Sequence, residues 1–464
     1  MSVLSAANDV LEQIQPMRII GRVRAVRGLT VLADALPVPI GSLVSIRQAA
    51  RGEDGPSTVV SWGEVVGFDT EHAIVMLLGT TVGIRSGLDV VGEQVCQTIG
   101  VGRQMIGRCV DGLGRPIDAK GPILDLVQAP LCPRPIEAMR RRHIVEPIRT
   151  GVRAIDLMAS LGRGQRMGIF AGPGVGKSTL MGMIAQNTSA DVNVIALIGE
   201  RGREVREFVE GTLGERGLAR SVVVAATSDE SPLLRIRAAM VACTIAEHFR
   251  DRGQDVMLMM DSVTRFAHAQ RQVGLSVGEP PATKGFTPSV FASLPLLLER
   301  AGAIEPDPER PGSGGSITGL YTILVEGDDL TEPVSDAARG ILDGHVILSR
   351  ALAQRAHFPA IDVLDSVSRV AEVVCDEAHV SARRRVARLL AIERDVEELV
   401  QIGAYAQGSD PETDVAIAFG PRIKELLCQG RDERVDFEEA RSRLVKIALE
   451  ADEQLRRLRA AKGA

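Results

Sequence analysis

The densest chemistry in the chain lies in nine consecutive residues, Ala171-Gly172-Pro173-Gly174-Val175-Gly176-Lys177-Ser178-Thr179. An apolar run, Met167 to Ala171, leads in, and a helical segment, Leu180 to Gln186, leads out. That is the setting of a phosphate-binding loop. Glycines let backbone N–H groups converge on phosphate oxygens where a Cβ would intrude. The start of the helix adds partial positive charge. On this reading Gly172 through Thr179 cradle the phosphates of a nucleotide. Lys177 is the compact cation that reaches the β- and γ-phosphates, and Ser178 is an oxygen ligand for Mg²⁺. Two residues depart from the usual pattern: Ala171 stands where Gly is common, and Pro173 has no N–H to donate. The lysine is informative in itself. The chain holds six Lys against 48 Arg, and a planar guanidinium does not replace an ammonium inside such a loop.

Two further segments supply carboxylates. The apolar run Val256 to Met260 ends in Asp261, and a carboxylate at the C-terminal end of a buried strand sits where such sheets bind ligands. Asp261 is therefore the second candidate for Mg²⁺, held directly or through water. The run Leu197-Ile198-Gly199 delivers Glu200 and Arg201. Glu200 suits the orientation of an attacking water, and Arg201 suits offsetting charge on the γ-phosphate. An ion pair on the surface accounts for the same two residues without any chemistry.

These residues need a scaffold. The apolar runs Met167–Ala171, Val194–Ile198, Val222–Ala225 and Val256–Met260 are continuous rather than alternating. Strands of that kind are buried on both faces, which implies a parallel α/β sheet. Residues 18–92 instead show short β-branched runs broken by Gly and Pro about every ten residues, the pattern of a small all-β barrel or sandwich. Residues 376–464 have helical spacing and dense charge. Residues 1–17 carry Leu4, Ala7, Leu11 and Ile14 at the spacing of a short amphipathic helix. The expected division is thus a helix (1–17), a β-barrel (18–92), an α/β unit (93–375) and a helical domain (376–464). A length of 464 residues fits about three domains.

Composition narrows the partners. The net charge of −6 argues against binding nucleic acid by bulk electrostatics. Thirteen aromatic residues, two of them (Trp62 and Phe68) in 18–92, leave little for base stacking. No apolar stretch reaches the ~18 residues of a membrane span, and no secretory signal is visible. The six cysteines lack any CxxC spacing and are expected as buried thiols in a reducing, cytoplasmic setting.

Gly199-Glu200-Arg201-Gly202-Arg203-Glu204 resembles the catalytic segment of the rotary ATP synthase β-subunit superfamily, and Pro359 to Ser368 resembles its signature. Gly162 to Phe170, Ala225 to Asp229, Asp261 to Ala267, Gly278 to Pro281, Leu324 to Asp329 and Ile341 to His345 are similar to one branch, the export ATPases of flagellar and virulence type III secretion. The resemblance implies a RecA-like P-loop core between an N-terminal barrel and a C-terminal helical domain. It implies Glu200 as catalytic carboxylate, Arg201 as γ-phosphate contact and Asp261 beside Mg²⁺. Arg369, directly after Ser368, is implied as an arginine finger reaching a neighbouring subunit's ATP. Phe358 is implied against adenine, with Tyr405 an alternative that a packed aromatic explains equally well. Lys284 stands where the family usually has Arg, with no role evident.

A finger acting in trans implies a closed homohexameric ring. The resemblance further implies chaperone release and substrate unfolding for a membrane export gate. Its implied partners are a central stalk protein, a stator-like regulator and the membrane periphery. Flagellar export is favoured over virulence secretion. Two readings share the same core: a catalytic subunit of a rotary ATP synthase, and a hexameric RNA-dependent helicase.

Overall fold

The computed structural model describes residues 19–48, 57–95, 97–309, 312–325, 329 and 331–463. The expected helix over 1–17 lies outside the described residues, and so does Cys96.

Six strands form the N-terminal unit: β1 (Ile20–Arg27), β2 (Thr30–Asp34), β3 (Leu43–Gln48), β4 (Thr58–Phe68), β5 (Ala73–Leu77) and β6 (Asp89–Gln94). They close in the order β1-β2-β5-β4-β3-β6, and β6 returns to β1 through Ile20 and Val91. Of the two architectures open from the sequence, the unit is a closed barrel. Alternation fills it: Val23, Val31, Val44, Ile46, Val65, Val75 and Val90 point inward and are buried. Met76 and Leu78 leave the barrel on its outer side and pack on Leu233 and Val273 of the next unit.

The central unit is a nine-stranded sheet. Its main strands are β7 (Cys109–Val110), β8 (Arg166–Ala171), β9 (Val192–Glu200), β10 (Ser221–Thr227), β11 (Asp255–Asp261), β12 (Ser316–Leu324), β13 (Gly344–Leu348) and β14 (Ile361–Ser368). The spatial order is β14-β13-β8-β12-β11-β9-β10-β7, with Gly302–Ala303 pairing at the side of β12. All of the main pairings are parallel except β13 with β14. Helices cover both faces: α1 (Arg153–Met158), α2 (Lys177–Asn187), α3 (Gly202–Glu207), α4 (Pro232–Arg250), α5 (Val263–Ser276), α6 (Pro288–Leu298) and α7 (Pro333–Ile341). All nine residues of β9 are buried. Fully burying a Val, Leu or Ile contributes about 1.5–3 kcal/mol, so this strand is a rigid mount for the residues at its end.

Three helices complete the chain: α8 (Glu377–Gln401), α9 (Pro411–Leu427) and α10 (Phe437–Gly463). Asp376 caps α8 by accepting from His379 N–H at 2.9 Å, and Asp410 caps α9 by accepting from Thr413 N–H at 2.8 Å. The bundle is fastened to the core. The His379 ring lies 2.9 Å from Leu157 O, and Arg394 bridges Asp362 (2.5 Å) and Asp365 (3.1 Å) on β14.

The cysteines depart from the sequence expectation. Cys109 and Cys243 are buried, but Cys375 and Cys428 are half-buried and Cys132 is exposed. None of the five described cysteines is in a disulfide. Burial in apolar surroundings pushes the Cys243 thiol up to about 12.

Candidate active site

The loop after β8 turns through Gly174 (φ 78°) and Gly176 (φ 94°), both in the left-handed region that favours glycine. Val175 is buried beneath it. Gly176 caps α2 with no side chain bound to the first N–H groups, which leaves them directed at the loop's concavity. Pro173 is exposed on the turn.

Parallel pairing brings the C-terminal ends of β8, β11 and β9 to one edge of the sheet. Lys177 Nζ lies 2.5 Å from Asp261 Oδ1 and 3.8 Å from Glu200 Oε1. Thr322, from β12, donates to the same Asp261 oxygen at 2.8 Å. Arg265, on the first turn of α5, sits 3.3 Å from Glu200 Oε2 and also donates to Gly199 O. Glycine is required at 199: its φ is 70°, and a Cβ there would meet Arg265 Cδ at 2.8 Å. Sequence reasoning reached Lys177, Asp261 and Glu200 and missed Arg265 and Thr322. The signal for Arg265 was its place four residues after Asp261 at the start of an amphipathic helix, within a stretch noted only for its resemblance.

The electrostatics of Glu200 follow from this packing. Burial, the hydrogen bond shared with Glu204 and the charge of Asp261 raise its carboxyl to about 7, against the pull of Lys177 and Arg265. Glu204 moves the opposite way, lowered first by that shared bond with Glu200. A carboxylate that changes charge near neutral pH is suited to accept a proton from water.

The remaining expected residues lie apart from this cluster. Arg201 has 79% of its side chain exposed and pairs with Glu204 at 2.9 Å. The surface ion pair that Arg201 makes is with Glu204 and not with the buried Glu200, because the chain turns outward into α3 directly after Glu200. Arg369 is exposed and makes no ion pair among the described residues; its N–H donates to Asp343 O at 3.0 Å. Its placement follows from topology. β14 is the antiparallel edge strand, and Ser368 pairs with Gly344, the first residue of β13. Arg369 therefore stands at the opposite end of the sheet from the phosphate loop, five strands from β9. At about 4.8 Å per strand that is more than ~20 Å, beyond the reach of an arginine.

Phe358 is half-exposed and lines neither of two cavities beside β14. One, of about 280 Å³, opens beside the loop between Phe170, Gly172, Ile347, Ser349 and Asp365. The other, of about 330 Å³, lies between Leu352, His357, Arg394 and Leu427. Tyr405 is half-buried and donates to Asp410 O (3.2 Å) and to Asp414 Oδ1 (3.0 Å) on the first turn of α9. Lys284 adopts φ 51° and lies 3.9 Å from Asp329 with both side chains about half exposed; nothing in the structure gives it a further role.

The donor set suits Mg²⁺. Ser178 is exposed at the loop's end, and Asp261 is a buried carboxylate that meets Lys177, the residue before it; both offer hard oxygens. No cluster of three or more His, Cys, Asp or Glu side chains able to hold a metal exists among the described residues.

The chain matches two family models: the ATP synthase alpha/beta family, nucleotide-binding domain, over residues 151–368, and the T3SS EscN ATPase C-terminal domain over residues 375–446. It is 50% identical over 429 residues to the flagellum-specific ATP synthase of Treponema pallidum (strain Nichols), which covers 92% of this chain and 93% of the relative. It is 48% identical over 431 residues to the type 3 secretion system ATPase of Xanthomonas euvesicatoria, covering 93% and 94%. The assembled ATPase EscN of enteropathogenic E. coli is similar in structure, with a TM-score of 0.83 and 41% identity over 92% of this chain and 100% of that one. The same EscN in complex with its central stalk EscO gives a TM-score of 0.82.

Proposed function

The chain belongs to the family of flagellum-specific ATP synthases and type 3 secretion system ATPases, and from that premise we propose that it hydrolyses ATP to energise protein export through a flagellar-type secretion apparatus. The observation that carries the chemistry is the cluster of Lys177, Asp261, Glu200 and Arg265 at one sheet edge beside the glycine loop. Lys177 leaves Asp261 when phosphates enter the loop and takes up the β- and γ-oxygens. Glu200, held by Arg265, orients the water that attacks the γ-phosphorus in line and accepts its proton. Ser178 and Asp261 hold Mg²⁺, which when bound neutralises charge on the β- and γ-phosphates. Arg201 contacts the γ-phosphate after leaving Glu204, and Phe358 stacks on adenine.

The position of Arg369, out of reach of its own site, supports its use by a neighbouring copy and hence a homohexameric ring. By likeness to the EscN complex, a central stalk protein occupies the ring's axis. No described helix is long and apolar enough to cross a membrane. The ring is proposed to work at the cytoplasmic face of the export gate on chaperone–substrate complexes, with a stator-like regulator. The functional units are 1–17, 18–92, 93–375 and 376–464, the barrel's last strand running two residues further, to Gln94.

The test is phosphate release by the purified chain, together with export by cells carrying Glu200→Gln as their sole copy. Mg²⁺-dependent turnover that the substitution abolishes, with loss of export, is the expected result. Normal export by that strain would refute the role of hydrolysis.

A further inference from the structure

Gln429 follows the last turn of α9 and is 4% exposed. No motif marks it, and its side chain belongs to neither the phosphate cluster nor the helical core. Its backbone N–H donates to Phe358 O at 2.9 Å. Its side-chain amide is fully engaged on the other side. Oε1 accepts from Arg153 N–H at 2.8 Å, while Nε2 donates to Gly151 O at 2.9 Å and to Glu433 O at 3.1 Å. A buried amide with both donors and its acceptor satisfied is a rigid spacer, because every displacement leaves a polar group unpaired.

The turn that Gln429 grips is itself tied to the phosphate loop. Asp156 accepts from Thr150 N–H and Oγ–H, both at 2.8 Å, and from Gly151 N–H at 2.9 Å. A Cβ on Gly151 would meet Asn187 Cβ, at the last residue of α2, at 2.4 Å. Thr188 Oγ–H donates to Arg149 O at 2.9 Å. The helix that begins at Lys177 is thus referenced at its far end to the turn at 149–156, and Phe358 is referenced to that same turn through Gln429.

We infer that Gln429 is a positioning residue for the adenine end of the site, setting the distance between Phe358 and the phosphate loop. The inference rests on the reading of Phe358 as the base-stacking residue. Gln429→Ala keeps the backbone bond to Phe358 and removes the three bonds that hold Gln429 in place. The base end then loosens while the phosphate end, built from other residues, stays intact.

The experiment compares steady-state ATP hydrolysis by the full-length protein with its competitive inhibition by inorganic tripolyphosphate, which carries no base. Gln429→Ala is expected to raise KM for ATP roughly five- to tenfold, the worth of one aromatic stacking contact. Both kcat and the tripolyphosphate Ki should stay within about twofold. Phe358→Ala should do the same, and the double variant should add little to either. If Gln429→Ala does not fold, Gln429→Asn, too short to reach Arg153 and Gly151 together, carries the same expectation. An unchanged KM in the Gln429 variant beside a raised KM in Phe358→Ala overturns the inference and leaves the Phe358 reading standing. A rise in tripolyphosphate Ki that matches the rise in KM also overturns it, as general loosening. An unchanged KM in Phe358→Ala removes the Phe358 reading itself, and the inference with it.

Discussion

Glu200 and Arg201 are adjacent in the chain and opposite in circumstance. Glu200 is buried among Lys177, Arg265 and Glu204, whereas most of the Arg201 side chain is in water. The same contrast runs through the whole site. Its inner half, comprising the loop, Lys177, Asp261, Glu200, Arg265 and Thr322, is knitted together within one chain. Its outer half, comprising Arg201, Phe358 and Arg369, is exposed and scattered. On the proposed reading, residues that bind phosphate and activate water are held ready before substrate arrives. Those proposed to answer charge on the transferring group would be gathered by nucleotide and neighbour, and full catalytic power would then depend on assembly.

The sharpest way to break this comparison is Arg369→Ala. It should lower kcat by ~10³ or more while nucleotide affinity, followed by fluorescent ATP titration, stays within a few-fold. Mixing it with Lys177→Ala chains should restore activity, since an intact loop then meets an intact finger across an interface. No recovery on mixing would place the finger in its own chain. Glu200→Gln tests the inner half: turnover should fall ~10²–10⁴-fold with ATP still bound, and preserved hydrolysis would mean another group activates the water. Arg201→Ala should leave the melting temperature nearly unchanged, because exposed ion pairs contribute less than about 1 kcal/mol. It should nevertheless lower kcat by ~10²; full activity would leave Arg201 a surface residue.

The mildest test uses pH. Glu200 ionises near 7, and its carboxylate is the form that accepts a proton. Turnover should therefore fall as pH drops through about 7, approaching tenfold per unit below it. The profile of kcat/KM, which reports groups of the free enzyme, checks this, and a flat profile between pH 5.5 and 8 would exclude Glu200 as the base. The same raised value has a consequence for stability. The folded state holds this proton more tightly than the unfolded chain, so Glu200's contribution favours folding more as pH falls from about 7 towards 4.5 and disfavours it above 7.

Legibility followed the same division. Asp261 and Glu200 could be read because each ends an apolar run, a local feature with a known place in a parallel sheet, and Lys177 because it closes a glycine loop that follows one. Arg265 and Thr322 could not, since their partners lie 65 and 61 residues away in sequence and only the strand order β12-β11-β9 joins them. Gln429 was invisible for the same reason, 276 residues from Arg153. The outward turn of Arg201 depends on how α3 leaves β9, which spacing does not encode. The elevated carboxyl of Glu200 depends on burial and on Glu204, not on residue type. The barrel was readable as all-β, but closure requires the pairing of β1 with β6, which only the register shows.

The edge position of β14 has a numerical consequence. If every catalytic unit needs the loop of one copy and the finger of the next, an open row of n copies holds n − 1 complete units and a closed ring holds n. A dimer would then run at about half the per-subunit rate of the ring and a trimer at about two-thirds. Assembly intermediates would form a graded series of partial enzymes, and the last contact to close would add one catalytic unit without adding a subunit.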